Sequence, residues 1–216
     1  MNGAQANGIR VTQAGPRALL VELPSGEEAE AFHAELLRRR AAGELPALRE
    51  IVPGARTVLL DGVEDRALAG RLRSWTVPPL DRGDGEAVEI PVVYDGPDLA
   101  DVAEAWGVAA GEVPRLHART EFRVAFCGFA PGFGYLTGLP GHLSVPRRAT
   151  PRTRVPAGAL ALAGPYTGVY PRSSPGGWQL IGRMPGPEAL WDPDREPAAL
   201  LRPGARVRFV KAEARG

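Results

Sequence analysis

The sequence predicts an α+β protein in two parts, a small layer of helices on strands followed by a strand-rich, closed or nearly closed barrel. Three observations carry that expectation. Up to Trp75 the runs succeed one another as strand pair, helix, strand pair, helix, which packs as a small α+β sandwich. From Val77 to Gly85 the chain is rich in proline, glycine and aspartate, the composition of an inter-domain linker, so residues 1–84 and 85–216 are read as separate domains. From Thr120 onward, short β-type runs are broken every few residues by glycine and proline, as in small barrels.

Ile9 to Thr12 and Ala18 to Glu22 read as strands around the Gly15-Pro16 turn. Ser25 followed by Glu28 is a capping-box signature: the serine oxygen can take a free amide of the first turn while the glutamate reaches back. The helix it opens runs to about Ala42, with Ala29, Phe32, Leu36 and Leu37 on its buried stripe, His33 on its exposed face and Gly43 just past its end. Leu48 to Val52 and Arg56 to Leu60 form the second strand pair across Pro53-Gly54, and Asp65 to Trp75 the second helix. Val88 to Val93 is a strand. Pro97 suits a first helical turn, where its missing amide is not needed, and Leu99, Val102, Ala103 and Trp106 form the apolar face of a helix that Gly107 ends. Glu112 to Arg119 reads as a further short helix. Glu121 to Cys127, Ala157 to Ala163, Gly168 to Tyr170, Trp178 to Arg183 and Arg206 to Lys211 are the barrel strands.

Composition bounds the function. At 216 residues, 44% hydrophobic and 24% charged, the chain can bury a core without disulfides or a metal. The 22 prolines and 27 glycines favour turns and short strands over a helical bundle. With 26 basic against 25 acidic residues the net charge is +1, so no global field draws the chain to nucleic acid or membrane. The single cysteine, Cys127, excludes an internal disulfide framework and a multi-cysteine metal site. Residues 1–8 lack the apolar core of a signal peptide and no run approaches bilayer length, so a cytoplasmic location and no bound metal are expected.

Three segments carry chemistry. The first, FCGFAPGFGYLTGLPG over 126–141, alternates glycines such as Gly132 with Phe129, Phe133 and Tyr135, so that backbone can approach a ligand between flat apolar walls. It has neither P-loop nor dinucleotide-turn spacing, and a tight barrel corner filled by aromatics explains it equally well. The second, PRRATPRTRVP over 146–156, sets Arg147, Arg148, Arg152 and Arg154 on proline-stiffened backbone, a pattern suited to carboxylate or phosphate, though basic runs are commonly solvated loops. The third, TGVYPRSSPGGWQLIG over 167–182, offers Tyr170, Ser174, the paired Gly176 and Gly177, and Trp178, which either stacks on a planar substrate or fills the barrel. His117, at a helix end, is a further candidate for ligand contact. No nucleophilic triad or metal-ligand spacing is present, and Cys127 reads as a small buried hydrophobe.

The runs GFAPGFGYLTGLP, VPRRATPRTRVPAGALALAG, TGVYPRSSPGGWQLIGRM and ALLRPGARVRF resemble, in order and spacing, the family of the 5-oxoprolinase B subunit, also called allophanate hydrolase subunit 1 or sporulation-kinase inhibitor. The resemblance is strong from Tyr94 to Val210 and looser before it. Gly134 stands where the family pattern has proline and Tyr166 where it has glutamine. The resemblance implies a ferredoxin-like N-terminal domain, a cyclophilin-like β-barrel, and two partners, the 5-oxoprolinase C and A subunits. It further implies ATP-dependent opening of the lactam of 5-oxo-L-proline to L-glutamate, with ATP as co-substrate held by this chain or elsewhere in the complex. Arg152, Arg154, Tyr170 and Ser174 are then the catalytic candidates, and Phe129, Gly132, Phe133, Tyr135, Arg147, Arg148, Gly176, Gly177, Trp178 and His117 the substrate-binding ones. The family also contains a kinase-inhibiting regulator and urea-metabolising relatives, the latter disfavoured here because no biotin-attachment or allophanate-hydrolysing signature is present.

Overall fold

The computed structural model describes residues 8–80 and 87–213. The chain falls into two compact units, Met1–Asp84 and Gly85–Gly216. Of the linker read from the sequence, residues 77–80 form neither helix nor strand, and 81–85 lie outside the described residues.

In the first unit the strands β1 (Arg10–Gly15) and β2 (Ala18–Glu22), the helix α1 (Gly26–Ala41), the strands β3 (Glu50–Pro53) and β4 (Thr57–Asp61) and the helix α2 (Leu68–Arg73) follow in order. The sheet runs β1-β2-β4-β3 with every neighbouring pair antiparallel. Moving β1 from the front of the chain to its end turns this into the ferredoxin-like order, so the fold is that arrangement with one edge strand made first. Alternation in β2 and β4 turns Leu19, Val21, Val58 and Leu60 to one face, where Phe32 and Leu36 of α1 and Leu68 and Leu72 of α2 cover them. Each of these side chains contributes about 1.5–3 kcal/mol by leaving water.

Helix α1 begins as its sequence requires, with the Ser25 hydroxyl oxygen accepting the Glu28 amide at 3.1 Å. The Glu28 carboxylate takes the Ser25 hydroxyl rather than its amide. Its buried side is wider than one stripe, and this corrects the placement of His33, which is 7% exposed. Trp75 adds a second cover, its ring 5.6 Å from that of Phe32 and 4.0 Å beneath the Arg39 guanidinium. Glu35 is buried too, and hydrogen bonds from Arg38 and then Arg39 lower its carboxyl to about 2.

The second unit holds β5 (Val88–Val92), α3 (Leu99–Trp106), α4 (Glu112–Arg119), β6 (Glu121–Cys127), β7 (Gly134–Thr137), β8 (Arg152–Val155), β9 (Ala159–Ala163), β10 (Tyr166–Val169), β11 (Ser174–Gly176), β12 (Gln179–Arg183) and β13 (Arg206–Lys211). Seven of these strands form one sheet in the order β12-β9-β10-β7-β6-β13-β5, parallel only between β13 and β5. Its two edges meet. Val93, just past β5, exchanges both backbone hydrogen bonds with Arg183 at the end of β12, at 2.8 Å each. Gly182 permits this, since a Cβ there would collide with the Val93 carbonyl. The result is a nearly closed barrel, filled by Ile90, Val92, Phe122, Leu136, Leu160, Phe209 and their neighbours.

Strand β9, ALALA, is buried along its whole length and shows how the barrel wall is used twice. Leu160 and Leu162 point into the barrel core, while Ala159, Ala161 and Ala163 face a second cluster with Phe133, Tyr170 and Trp178. Small alanines outside leave room for large rings, and the two-stranded ribbon of β8 and β11 lies beside them, with Val155 in the same cluster. Among the described residues no helix is long and apolar enough to cross a membrane, and no group of acidic, histidine or cysteine side chains is placed to hold a metal ion.

Candidate functional site

The glycine-rich, arginine-rich and tyrosine–tryptophan segments come together on the outer face of that wall. Phe133, 1% exposed, is the hub, with Phe129, Tyr135, Tyr170 and Trp178 arranged edge-on around it at ring separations of 5.0 to 5.5 Å. Edge-on geometry matches the positive rim of one ring to the negative face of the next. Tyr135 also stacks on Phe126 at 4.3 Å, and Tyr166 stands edge-on to both. The residue that departs from the family pattern at 166 thus extends the aromatic wall, and Gly134 lies buried against Leu201 and Val124. Gly176 is required by Tyr170, whose hydroxyl occupies the space a Cβ would fill. Gly177 lies against Pro151 and accepts the Arg148 amide at 2.7 Å, and Gly132 sits beside Trp191.

Phe129 is the unusual residue. Its φ is +67°, the left-handed region that costs a bulky residue roughly 1–2 kcal/mol, and it forms the centre of a γ-turn closed by the Ala130 amide on the Gly128 carbonyl at 2.7 Å. The turn leaves its ring 57% exposed at the edge of the cluster, 6.0 Å from Tyr170. Strain of this kind persists where the surroundings impose it, and it concentrates at ligand sites.

The four arginines divide into two groups, which corrects the expectation that all serve a ligand. Asp98, at the start of α3, is 2% exposed and takes Arg152 through both oxygens at 2.8 and 2.9 Å, Arg148 at 2.8 Å and the Leu180 amide at 2.6 Å. Burial alone would raise the Asp98 carboxyl, but the Arg152 and Leu180 hydrogen bonds and both guanidinium charges reverse that and hold it below its ordinary value. Arg148 and Arg152 are thus both tied to one buried carboxylate. Arg154 on β8 is exposed and donates to the Ser173 hydroxyl at 3.2 Å, while the Ser174 hydroxyl donates to the Arg172 carbonyl at 3.5 Å. Arg147 pairs with no carboxylate of the described residues. Its charge falls on Tyr135 and Tyr170, whose phenols burial pushes up and Arg147 partly draws back.

His117 is corrected as well. It is fully buried between Phe122 and Phe209, each 4.8 Å away ring to ring, so no ligand at the surface reaches it. Its Nδ1 lies 2.9 Å from the Tyr94 hydroxyl and its Nε2 3.3 Å from Thr167 Oγ1. Burial pushes it down to about 3, so it is a neutral core histidine. The Cys127 thiol, half-buried against the Leu201 carbonyl, is pushed up to about 11 and is a poor nucleophile at neutral pH. Asp98 escaped the sequence reading altogether. The one available hint was four arginines in a nearly neutral chain, which need buried carboxylates somewhere.

Neutral phenols, a floor of rings and a guanidinium with no carboxylate partner among the described residues suit a compact, flat ligand that carries a single negative charge and a carbonyl able to accept hydrogen bonds. Residues 9–201 match the family of the carboxyltransferase domain, subdomain C and D. A relative named as the B subunit of 5-oxoprolinase, from Escherichia coli O157:H7, is 47% identical over 175 residues, which are 77% of this chain and 79% of the relative. The chain belongs to this family, with the 5-oxoprolinase B subunits. The crystal structure of TTHA0988 is 39% identical with a TM-score of 0.75 over 92% of this chain, which spans only 41% of that longer chain. Urea carboxylase from Kluyveromyces lactis, 19% identical, shares the fold with a TM-score of 0.71 over 95% of this chain and 22% of its own length.

Proposed function

We propose that this chain is the B subunit of a cytoplasmic, ATP-dependent 5-oxoprolinase and that its aromatic cleft binds 5-oxo-L-proline. The observation that carries this reading is the cluster of Phe133, Tyr135, Tyr170 and Trp178 rings, whose two phenols lie within reach of the Arg147 charge. Arg147 takes the substrate carboxylate, the flat five-membered ring lies against the aromatic wall, and a phenol O–H donates to the lactam oxygen. A donor fixed at that oxygen stabilises the charge that develops when the amide is attacked. The lactam part of the reaction adds one water across the C–N bond, the carbonyl carbon gaining the hydroxyl and the nitrogen the proton to give L-glutamate, while the coupled cleavage of ATP consumes a second water and releases ADP and phosphate.

The described residues of the second unit make no cradle for a triphosphate. Helices α3 and α4 carry Asp101 and Glu112 in their first turns, which repel phosphate, and the glycine-rich loop leads into strand β7 rather than a helix. We assign the ATP-dependent step to the complex as a whole, which partners of the C and A types complete. Similarity to named B subunits favours this reading over the kinase-regulating and urea-metabolising alternatives.

The purified chain is expected to bind 5-oxo-L-proline yet to release no glutamate until both partner subunits and ATP are added. A coupled glutamate assay checks this, and turnover by the chain alone would overturn it. Phe129→Gly is expected to leave stability within about 1 kcal/mol of the original, since relief of left-handed strain offsets the lost ring contacts. Ligand affinity should fall about tenfold, the size of one aromatic contact. Thermal melts and calorimetric titration on the same protein separate the two effects, and a destabilised variant with unchanged affinity would make Phe129 a scaffold residue.

A further inference from the structure

Arg147 stands between two neighbours whose backbones are both held. The Pro146 carbonyl accepts the Gln179 side-chain amide at 3.3 Å, and the Arg148 amide donates to the Gly177 carbonyl at 2.7 Å. Asp98 fastens the same segment through side chains, to Arg148 on one side and to Arg152 further on, while the Leu180 amide ties the carboxylate to β12. Asp98 occupies the cap position of α3 yet makes no side-chain cap bond there, so its hydrogen-bonding capacity is turned wholly toward this segment and β12. A second carboxylate, Asp101, lies 3.9 Å from Arg148. Of the guanidinium groups on this segment, those of Arg148 and Arg152 face two carboxylates, Arg154 turns to the Ser173 hydroxyl, and Arg147 meets no carboxylate of the described residues.

We infer, resting on the cleft assigned above, that Asp98 is its positioning residue: by anchoring Arg148 and Arg152 it holds residues 146–152 so that, of these three arginines, Arg147 presents its charge to the ligand, which fits the cleft to a monoanion. Asp98 touches no ligand itself and acts through Arg147. Without its charge, Arg148 and Arg152 are released and the same segment becomes a site for ions of higher charge.

The test uses the full chain, calorimetric titration with 5-oxo-L-proline as monoanion and inorganic phosphate at pH 7.5 as largely dianionic probe, and the variants D98N, R147Q and D98N/R147Q. D98N is expected to bind 5-oxo-L-proline about tenfold more weakly and to bind phosphate at least tenfold more tightly than the original protein. The double variant should bind 5-oxo-L-proline no more weakly than R147Q, because Asp98 works through Arg147; a merely structural loss would multiply with the R147Q effect instead. An original-strength Kd in D98N, multiplying effects, or no gain of phosphate binding overturns the proposal. If the original protein does not bind 5-oxo-L-proline, the substrate assignment fails by itself, and the phosphate arm still decides the role of Asp98. Should D98N not fold, R152K keeps the charge but loses the fork, and is expected to weaken 5-oxo-L-proline three- to tenfold with no gain for phosphate; unchanged affinity in R152K also overturns the proposal.

Discussion

Between pH 6.5 and pH 5 the protein is expected to lose about 2 kcal/mol of stability through His117 alone, and His117→Gln is expected to remove most of that dependence. The unfolded chain takes up a proton on this histidine near 6.5, whereas burial keeps the folded form neutral down to about 3. Throughout that window the unfolded state binds more protons, so stability is complete above 6.5 and declines by roughly 1.4 kcal/mol per unit as pH falls. The groups facing the ring are Tyr94, Thr167, Phe122 and Phe209, none of them a carboxylate that could stabilise an imidazolium. Burial also raises the Tyr94 phenol, so it stays protonated and can donate to Nδ1, while Nε2–H donates to Thr167. The carboxylates held low by arginines, Glu35 and Asp98, add to the loss in the same direction, but only as pH falls below their ordinary values of 4.5 and 3.8. Denaturant unfolding at several pH values on both proteins tests the assignment. Equal slopes for the two would show that the histidine charges without opening the barrel.

Phe133→Ala is expected to cost about 3–5 kcal/mol and to abolish ligand binding together. The ring is 1% exposed and its edge-on contacts to Phe129, Tyr135, Tyr170 and Trp178 organise the aromatic cluster. The backing strand contributes only alanines there, Ala159, Ala161 and Ala163, which cannot move in to fill the void. Phe133→Leu fills more of the space and should cost about half as much while still losing the ring contacts. Urea midpoints, near-ultraviolet circular dichroism and ligand titration would be measured on both variants. A loss below about 1 kcal/mol for alanine would show that the cluster collapses around the gap, and the cleft would then not be pre-formed.

Local chemistry was legible where one segment decides its own conformation. Helix α4 and strands β6 and β13 lie where the sequence places them, α1 starts at its Ser25 cap, and Gly43 and Gly107 take the positive φ of helix ends. Helix α3 starts at Leu99, after Pro97 rather than at it, because Asp98 is turned to the arginines. Strands β7, β8 and β11 lie inside the three chemistry-bearing segments and are not among the strands the sequence predicts. Their residues are glycine, proline and arginine as often as β-branched ones, and pairing with a neighbour, not propensity, makes them strands.

By itself the sequence determined the α+β class, most of the run of elements, the family, and the three segments that supply the aromatic and arginine clusters. Those properties rest on periodicity, caps and long motifs, all of them near-neighbour information. The tertiary structure alone decided the division of labour among the arginines and the burial of His117 and His33. Arg148, Arg152 and Leu180 reach Asp98 across 50, 54 and 82 residues of chain, and His117 meets Thr167 across 50. Whether a charge faces a ligand or a buried partner depends on which distant side chain the folded barrel brings beside it, and no local pattern encodes that.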